Sequence, residues 1–337
     1  MLSDRLTLAL QSGLLALPAS GRVAVFGATS ARDLADLPRG RVQVIQRFRP
    51  DHDALLQAGW QVATAPEGDY TAAIVCLPRA RAAAKGLIAE AAAHLPPGAP
   101  LVVDGQKTDG VDAMVRALRE RVEFPQPISK AHGKIAVLPS GPFFADWVAQ
   151  PVLLAGGFTT MPGVFSADGV DPASALLAAT LPDRLPARVA DLGAGWGYLS
   201  LAALARDGVE ELHLVEADLV ALDCARKNVA DPRARFHWAD ARAHVPDGGF
   251  DAVIMNPPFH TARAADPKIG ADFIAAAARM LTTAGTLWLV ANRHLPYEEH
   301  LKARFREVEE LAGTPAFKIY RAARPAATPK GSRPRRA

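Results

Sequence analysis

The chain has 337 residues, half of them hydrophobic and 22% charged, with a net charge of +3. That length suffices for two ordinary domains with separate cores, and the composition is that of a globular protein rather than a disordered or fibrous one. No apolar run reaches the ~18 residues a membrane helix needs, and two cysteines, Cys76 and Cys224, read as reduced core thiols rather than a disulfide framework or metal cluster.

Residues 1–17 carry Asp4, Arg5, Gln11 and Ser12 among leucines at helical spacing. This predicts an amphipathic helix rather than a secretion signal, and hence a cytoplasmic protein. Short apolar runs then alternate with helical stretches. Strands are expected at 22–26, 42–45, 60–63, 70–77, 101–104 and 134–137, and helices at 51–58, 79–93 and 111–121. Such alternation builds parallel βαβ units. The polar turn from Gly105 to Gly110 reads as a helix entry capped by Thr108 or Asp109. Proline, glycine and aromatics crowd 125–151 and mark the end of a first domain, 1–150.

The second domain, 151–322, begins with a helix at 173–180 opened by Asp171 and Pro172. A strand at 188–192 runs into Asp191-Leu-Gly193-Ala194-Gly195-Trp196-Gly197. Glycines at alternate positions let backbone approach a ligand closely and open the next helix, 198–205. Asp191 would repel a pyrophosphate there and suits a cationic ligand instead. Trp196 either shapes the ligand pocket or packs outside it.

The strand at 212–216 ends on Glu216, placed to accept from both hydroxyls of a ribose. Asp218 caps a helix at 219–228. The strand at 234–238 leads to Asp240 and Ala241, with Asp240 positioned for an adenine amino group; a plain turn residue is the other reading. The apolar strand 250–255 stops at Asn256-Pro257-Pro258-Phe259-His260, because proline has no N–H to offer a sheet. The residue before a proline is held extended. The Asn256 amide oxygen and Pro257 carbonyl thus form two adjacent acceptors, followed by an aromatic ring. That set suits a planar group bearing an amine. A helix at 270–281, a strand at 286–290, a helix at 295–305 and a strand at 317–321 complete the second sheet.

The two halves align as an internal duplication. Val23-Ala-Val-Phe-Gly27 answers Val189-Ala-Asp-Leu-Gly193, and residues 70–79 answer 250–259, with Val25 for Asp191, Cys76 for Asn256 and Arg79 for Phe259. The first half keeps the apolar strands and lacks the chemical groups. From 311 to 337 there are seven bases and no acid, and without them the rest of the chain sums to −4. Residues 323–337 read as a disordered basic arm, either touching phosphates or merely solubilising.

Acid, glycine turn, acid, acid and Asn-Pro-Pro-Phe at successive strand ends resemble class I S-adenosylmethionine-dependent methyltransferases of exocyclic amines. Pro162-Gly-Val-Phe-Ser-Ala-Asp-Gly169, Asn256-Pro-Pro-Phe-His260, Val290-Ala-Asn-Arg-His-Leu-Pro-Tyr297 and Phe317-Lys-Ile-Tyr-Arg321 narrow this. Over essentially its whole length the chain is similar to the bacterial ribosomal small-subunit methyltransferase C family, which modifies guanine N2. The resemblance implies an α/β protein of two tandem Rossmann-like methyltransferase domains with seven-stranded, mostly parallel sheets. In it the first domain is degenerate and offers RNA surface.

The resemblance also implies S-adenosylmethionine held by Asp191, Gly193, Ala194, Gly195, Gly197, Glu216, Asp240, Ala241 and Asn256. Catalysis would fall to Asn256, Pro257, Pro258 and Phe259, without a metal. The expected partner is ribosomal RNA or the small ribosomal subunit, and the expected state a monomer. His260 reads as a polar wall or an aid to proton loss, and Arg293 as part of the RNA approach. The long basic tail and Trp196 depart from the family pattern. Rival readings are the same chemistry on large-subunit guanine, adenine N6 or protein glutamine, a non-catalytic RNA-binding assembly factor, and a nicotinamide dehydrogenase.

Overall fold

A computed structural model describes residues 2–258, 260–261, 264–265 and 267–326. The chain divides into two compact units, Met1–Ala167 with Asp218–Val220, and Asp168–Ala217 with Ala221–Ala337.

In the first unit the order is α1 (Leu2–Gln11), β1 (Val23–Phe26), β2 (Val42–Ile45), α2 (Arg49–Gln57), β3 (Gln61–Ala63), β4 (Ala72–Cys76), α3 (Arg81–Ala93), β5 (Pro100–Gln106), α4 (Val111–Arg119), β6 (Ile128–Lys130) and β7 (Gly133–Pro139). A small hairpin, β8 (Val152–Leu153) with β9 (Thr159–Thr160), follows. The seven-stranded sheet runs β3-β2-β1-β4-β5-β7-β6. Its first five strands are parallel, while β7 is antiparallel to both β5 and β6. Strands such as Val23–Phe26 are buried at every position, as expected where helices cover both faces of a parallel sheet.

The second unit contains α5 (Pro172–Thr180), β10 (Arg188–Leu192), α6 (Tyr198–Leu204), β11 (Glu211–Glu216), α7 (Leu219–Asn228), β12 (Ala234–Trp238) and β13 (Phe250–Met255). After it come β14 (His260–Thr261), β15 (Ala264–Ala265), α8 (Pro267–Met280), β16 (Leu281–Asn292), α9 (Tyr297–Lys302), β17 (Phe305–Gly313) and β18 (Phe317–Pro325). Its main sheet runs β12-β11-β10-β13-β16-β18-β17, the first unit's order repeated. The likeness extends to single bonds. The Gly27 N–H donates to the Ile45 carbonyl at 3.0 Å and the Gly193 N–H to that of Val215 at 2.9 Å, with φ of +72° and +74°.

Several elements differ from expectation. α1 stops at Gln11, where Gly13 takes a left-handed turn at φ +74°; Leu15 is buried all the same, without belonging to the helix. Neither Thr108 nor Asp109 caps α4: Gly110 stands at its entrance, and Asp109 instead accepts from the Gln106 N–H. The expected helix 295–305 is only Tyr297–Lys302 and is followed by the unforeseen strand β17. β6 was likewise unforeseen. β18 continues through Pro325, paired with β17, so residues 323–325 lie in the sheet. Residues 327–337 fall outside the described residues.

At the carboxyl end of the first sheet, α1 sends Arg5 to Asp104, with Nε to Oδ1 at 2.6 Å and Nη2 to Oδ2 at 2.7 Å. Asp104 is the register partner of Cys76. A buried bidentate ion pair therefore occupies the region where the duplicated unit carries its polar strand ends.

Candidate active site

Alternation along the strands decides which side each functional group faces. On β13, Ala252 and Ile254 pack with α5, α6 and α7, whereas Val253 and Met255 pack with α8. Continuing the period places Asn256 on the α5 side. β10 follows the same rule: Ala190 and Leu192 face α8, and Asp191 faces the other way.

Asp191 is fully buried, and its Oδ2 accepts from the Ser200 hydroxyl at 2.7 Å. Among the described residues its buried Oδ1 has no hydrogen-bond partner, which costs about 1–3 kcal/mol unless a ligand group meets it. Burial pushes the Asp191 carboxyl up to about 7; the neighbouring Glu216 charge adds to this, and the Ser200 hydroxyl opposes it. Glu216, at the end of β11, accepts from the Gly195 N–H through Oε2 at 2.8 Å, tying the glycine turn to the next strand.

Within that turn, Gly197 sits at φ +93°, and a Cβ there would lie 2.7 Å from Val229 Cγ2; only glycine fits. Gly195 is different. Its φ is +54°, and a Cβ would meet nothing within 4 Å, so its front is open. Ala194 is buried, and its N–H shares the Val215 carbonyl with that of Gly193. Trp196 is buried, edge-on to Tyr198 at 5.8 Å, with its carbonyl accepting from Asn228 Nδ2 at 2.8 Å.

Asp240 follows β12 and is held by its own turn. Its carboxylate accepts from the Arg242 backbone N–H at 2.9 Å and from Arg242 Nε and Nη2 at 2.9 and 2.8 Å. Ala241 beside it is buried.

Asn256 closes the group. Its Nδ2 donates to Asp171 Oδ2 and to Ser174 Oγ, each at 2.9 Å. Asp171 is also the cap of α5, accepting from the Ser174 N–H at 2.8 Å. A carboxylate only accepts, so the amide nitrogen must face α5 and the oxygen must face away. Pro257 is buried and Pro258 exposed. Phe259 lies outside the described residues.

Sequence reading missed the second role of Asp171, along with Ser174 and Ser200. Ser174 stands three residues after a helix cap, and Ser200 is a hydroxyl on the buried face of α6; these positions mark buried polar groups without saying which strand end each meets. Arg293, by contrast, is engaged within the fold. Its Nε donates to the Thr314 carbonyl at 2.7 Å and its Nη2 to that of Phe317 at 3.2 Å, with Glu310 beside it. It fixes the β17–β18 turn.

Two acidic strand ends, a glycine turn and an asparagine at the carboxyl edge of this sheet order define a methyltransferase. Residues 155–321 match the family model described as "Methyltransferase small domain". A Shewanella amazonensis protein named ribosomal RNA small subunit methyltransferase C is 31% identical, over 74% of this chain and 76% of its own length. The protein of that name from Shewanella loihica is 29% identical over 82% and 83%. Among solved structures, the T. thermophilus 16S rRNA N2 G1207 methyltransferase in complex with AdoMet and guanosine superposes with a TM-score of 0.79. It is 26% identical, covering 96% of this chain and 91% of that one. Relationship at this level over most of both chains makes this protein a member of the ribosomal RNA small subunit methyltransferase C family.

Proposed function

We infer that this chain is an S-adenosylmethionine-dependent methyltransferase that modifies the exocyclic N2 amine of guanine in small-subunit ribosomal RNA. The observation that carries the reading is Asn256, held at the end of β13 with its amide nitrogen bound to α5. The cofactor fits the residues present. Asp191 Oδ1 is a buried acceptor lacking a partner among the described residues, next to a glycine turn open at Gly195. Bound there, S-adenosylmethionine supplies an electrophilic methyl group on a sulfonium sulfur.

In this proposal the backbone of Gly193, Ala194, Gly195 and Gly197 cradles the cofactor, and Asp191 accepts from its cationic amine. Glu216 accepts from the ribose hydroxyls, and Asp240 with Ala241 reads the adenine edge. A carboxylate has about four acceptor positions, so Asp240 can hold Arg242 and the adenine amine together. Asn256 Oδ1 and the Pro257 carbonyl accept the two N–H bonds of guanine N2. That nitrogen's lone pair is otherwise delocalised into the ring, and two acceptors favour a pyramidal, more nucleophilic nitrogen. Pro258 stiffens the loop, and Phe259 stacks on the base, worth about 1–3 kcal/mol. As the new C–N bond forms, the methyl–sulfur bond breaks, leaving S-adenosylhomocysteine as a neutral thioether, and the amine releases one proton to solvent. The target guanine is taken unpaired or flipped out, at a cost of about a few kcal/mol. The first unit serves as RNA-facing support, and the enzyme works as a cytoplasmic monomer.

The test is methyl transfer from labelled S-adenosylmethionine to unmodified small subunits, with intact protein and Asn256→Ala. The expected product is N2-methylguanine in small-subunit RNA, lost in the variant. Label elsewhere, or none despite cofactor binding, would sink the substrate assignment.

A further inference from the structure

We propose that Asp171 and Ser174 form a bracket that orients and polarises Asn256, making the cap of α5 a positioning part of the catalytic apparatus. The proposal deepens the reading of Asn256 given above and rests on it.

An asparagine alone is an ambiguous acceptor, because a half-turn about its last torsion exchanges oxygen for nitrogen and would aim N–H groups at the amine. The bracket removes that freedom. Both amide protons are spent, one on Asp171 Oδ2 and one on Ser174 Oγ, each at 2.9 Å. Flipped, the amide oxygen would face a carboxylate oxygen with no proton between them, a repulsive pair in a half-buried setting. Ser174 is itself buried, which fixes its hydroxyl position. Asp171 is fixed by the same carboxylate oxygen that accepts from the Ser174 N–H at 2.8 Å. A proline at the first helical position, Pro172, presets the backbone that carries the pair.

The bracket also acts through charge. A hydrogen bond from an amide nitrogen to an anion is charge-assisted, and it draws amide resonance toward the form with more negative charge on oxygen. Linked hydrogen bonds strengthen one another in this way. Asn256 Oδ1 thereby becomes a stronger acceptor for the amine's N–H than an unsupported asparagine.

Two variants separate the effects. Asp171→Asn keeps an oxygen able to accept from both the Ser174 N–H and Asn256 Nδ2, yet removes the charge. Ser174→Ala keeps the helix cap and removes one of the two acceptors. The expected result is a fall in kcat of roughly ten- to a hundredfold for each. KM for RNA and cofactor affinity by calorimetry should stay near the intact enzyme's values. An independent readout is the Asn256 side-chain amide proton pair in nitrogen-15 spectra, assigned by its disappearance in Asn256→Ala. Those two resonances should move in both variants without activity being involved.

Wild-type kcat in both variants, with Asn256→Ala impaired, would overturn the bracket while leaving the Asn256 reading intact. Full activity in Asn256→Ala would overturn the Asn256 reading itself. Loss of cofactor affinity in step with kcat would reduce Asp171 and Ser174 to ordinary structural residues, and the proposal would fail.

Discussion

A carboxylate buried as fully as that of Asp191 burdens the empty protein. Its carboxyl titrates at about 7, against 3.8 in the unfolded chain, so the folded state binds the extra proton between those values. Folding stability from this group therefore falls as pH rises from about 4 to 7. The full shift corresponds to about 4 kcal/mol at pH 8. Asp191→Asn should raise the melting temperature of the cofactor-free enzyme at pH 8, by up to roughly 8–16 °C at ~2–4 °C per kcal/mol, and by less at pH 5. It should also weaken cofactor binding. Scanning calorimetry at the two pH values, with and without cofactor, checks both; a lower melting temperature at pH 8 would contradict the account. Asp191, Glu216 and Asn256 were legible as a series because each stands at or within one residue of the end of an apolar strand, where a polar residue has no packing reason to stand. Their partners were not. Ser174 and Ser200 sit inside short helices among apolar residues, and nothing in spacing alone says which strand end each will meet.

At the scale of elements, the far end of the second sheet holds an unusual stack. His213 on β11 lies parallel to His237 on β12, 5.0 Å between ring centres and 4° between planes, with Nδ1 and Nε2 2.9 Å apart. His244 closes on His237 from the following loop at 5.0 Å. Burial and the two neighbouring imidazoles hold His237 down at about 4. His213 and His244 are also lowered, mainly by burial; Glu211 opposes the shift at His213, while Arg188 and Arg235 reinforce it there and Arg279 at His244. In the unfolded chain His237 returns to 6.5, so the unfolded state binds more protons in between. The stability contributed is complete above about 6.5 and is lost as pH falls toward 4. His237→Gln should therefore lose less melting temperature between pH 7 and pH 5 than the intact protein, measured by thermal unfolding in paired buffers. Equal losses would show that the stack does not titrate as described. The strands of the two main sheets missed from sequence are β6 and β17, one edge of each. β17 carries the charged pairs Arg306-Glu307 and Glu309-Glu310 on either side of Val308, and charges suit an exposed edge, but the same letters also suit a helix. β6 is three residues long, too short for a period to show.

For the whole molecule the decisive fact is one strand order used twice. Both units keep the glycine at the first strand's end, with its bond to the neighbouring strand. Only the second has an acid before it and an asparagine just past the end of β13; the first has Val25 and Cys76, with the Arg5–Asp104 pair nearby. Titration should accordingly find one cofactor site per chain, weakened by changes at Asp191 and untouched by Cys76→Ala. Two sites would mean that the first unit is not silent. The same strand order fixes when each sheet can be finished during synthesis. In each unit the last strand made is not an edge: β7 goes between β5 and β6, and β18 between β16 and β17. The first sheet can close once Pro139 is available. The second waits for the stretch ending at Pro325, and until then β16 carries an open, buried-type edge of the kind that invites misassociation. The unit that matches the methyltransferase family model is thus the last to be protected, and a chain cut short before β18 would leave a complete first sheet tethered to an unfinished one.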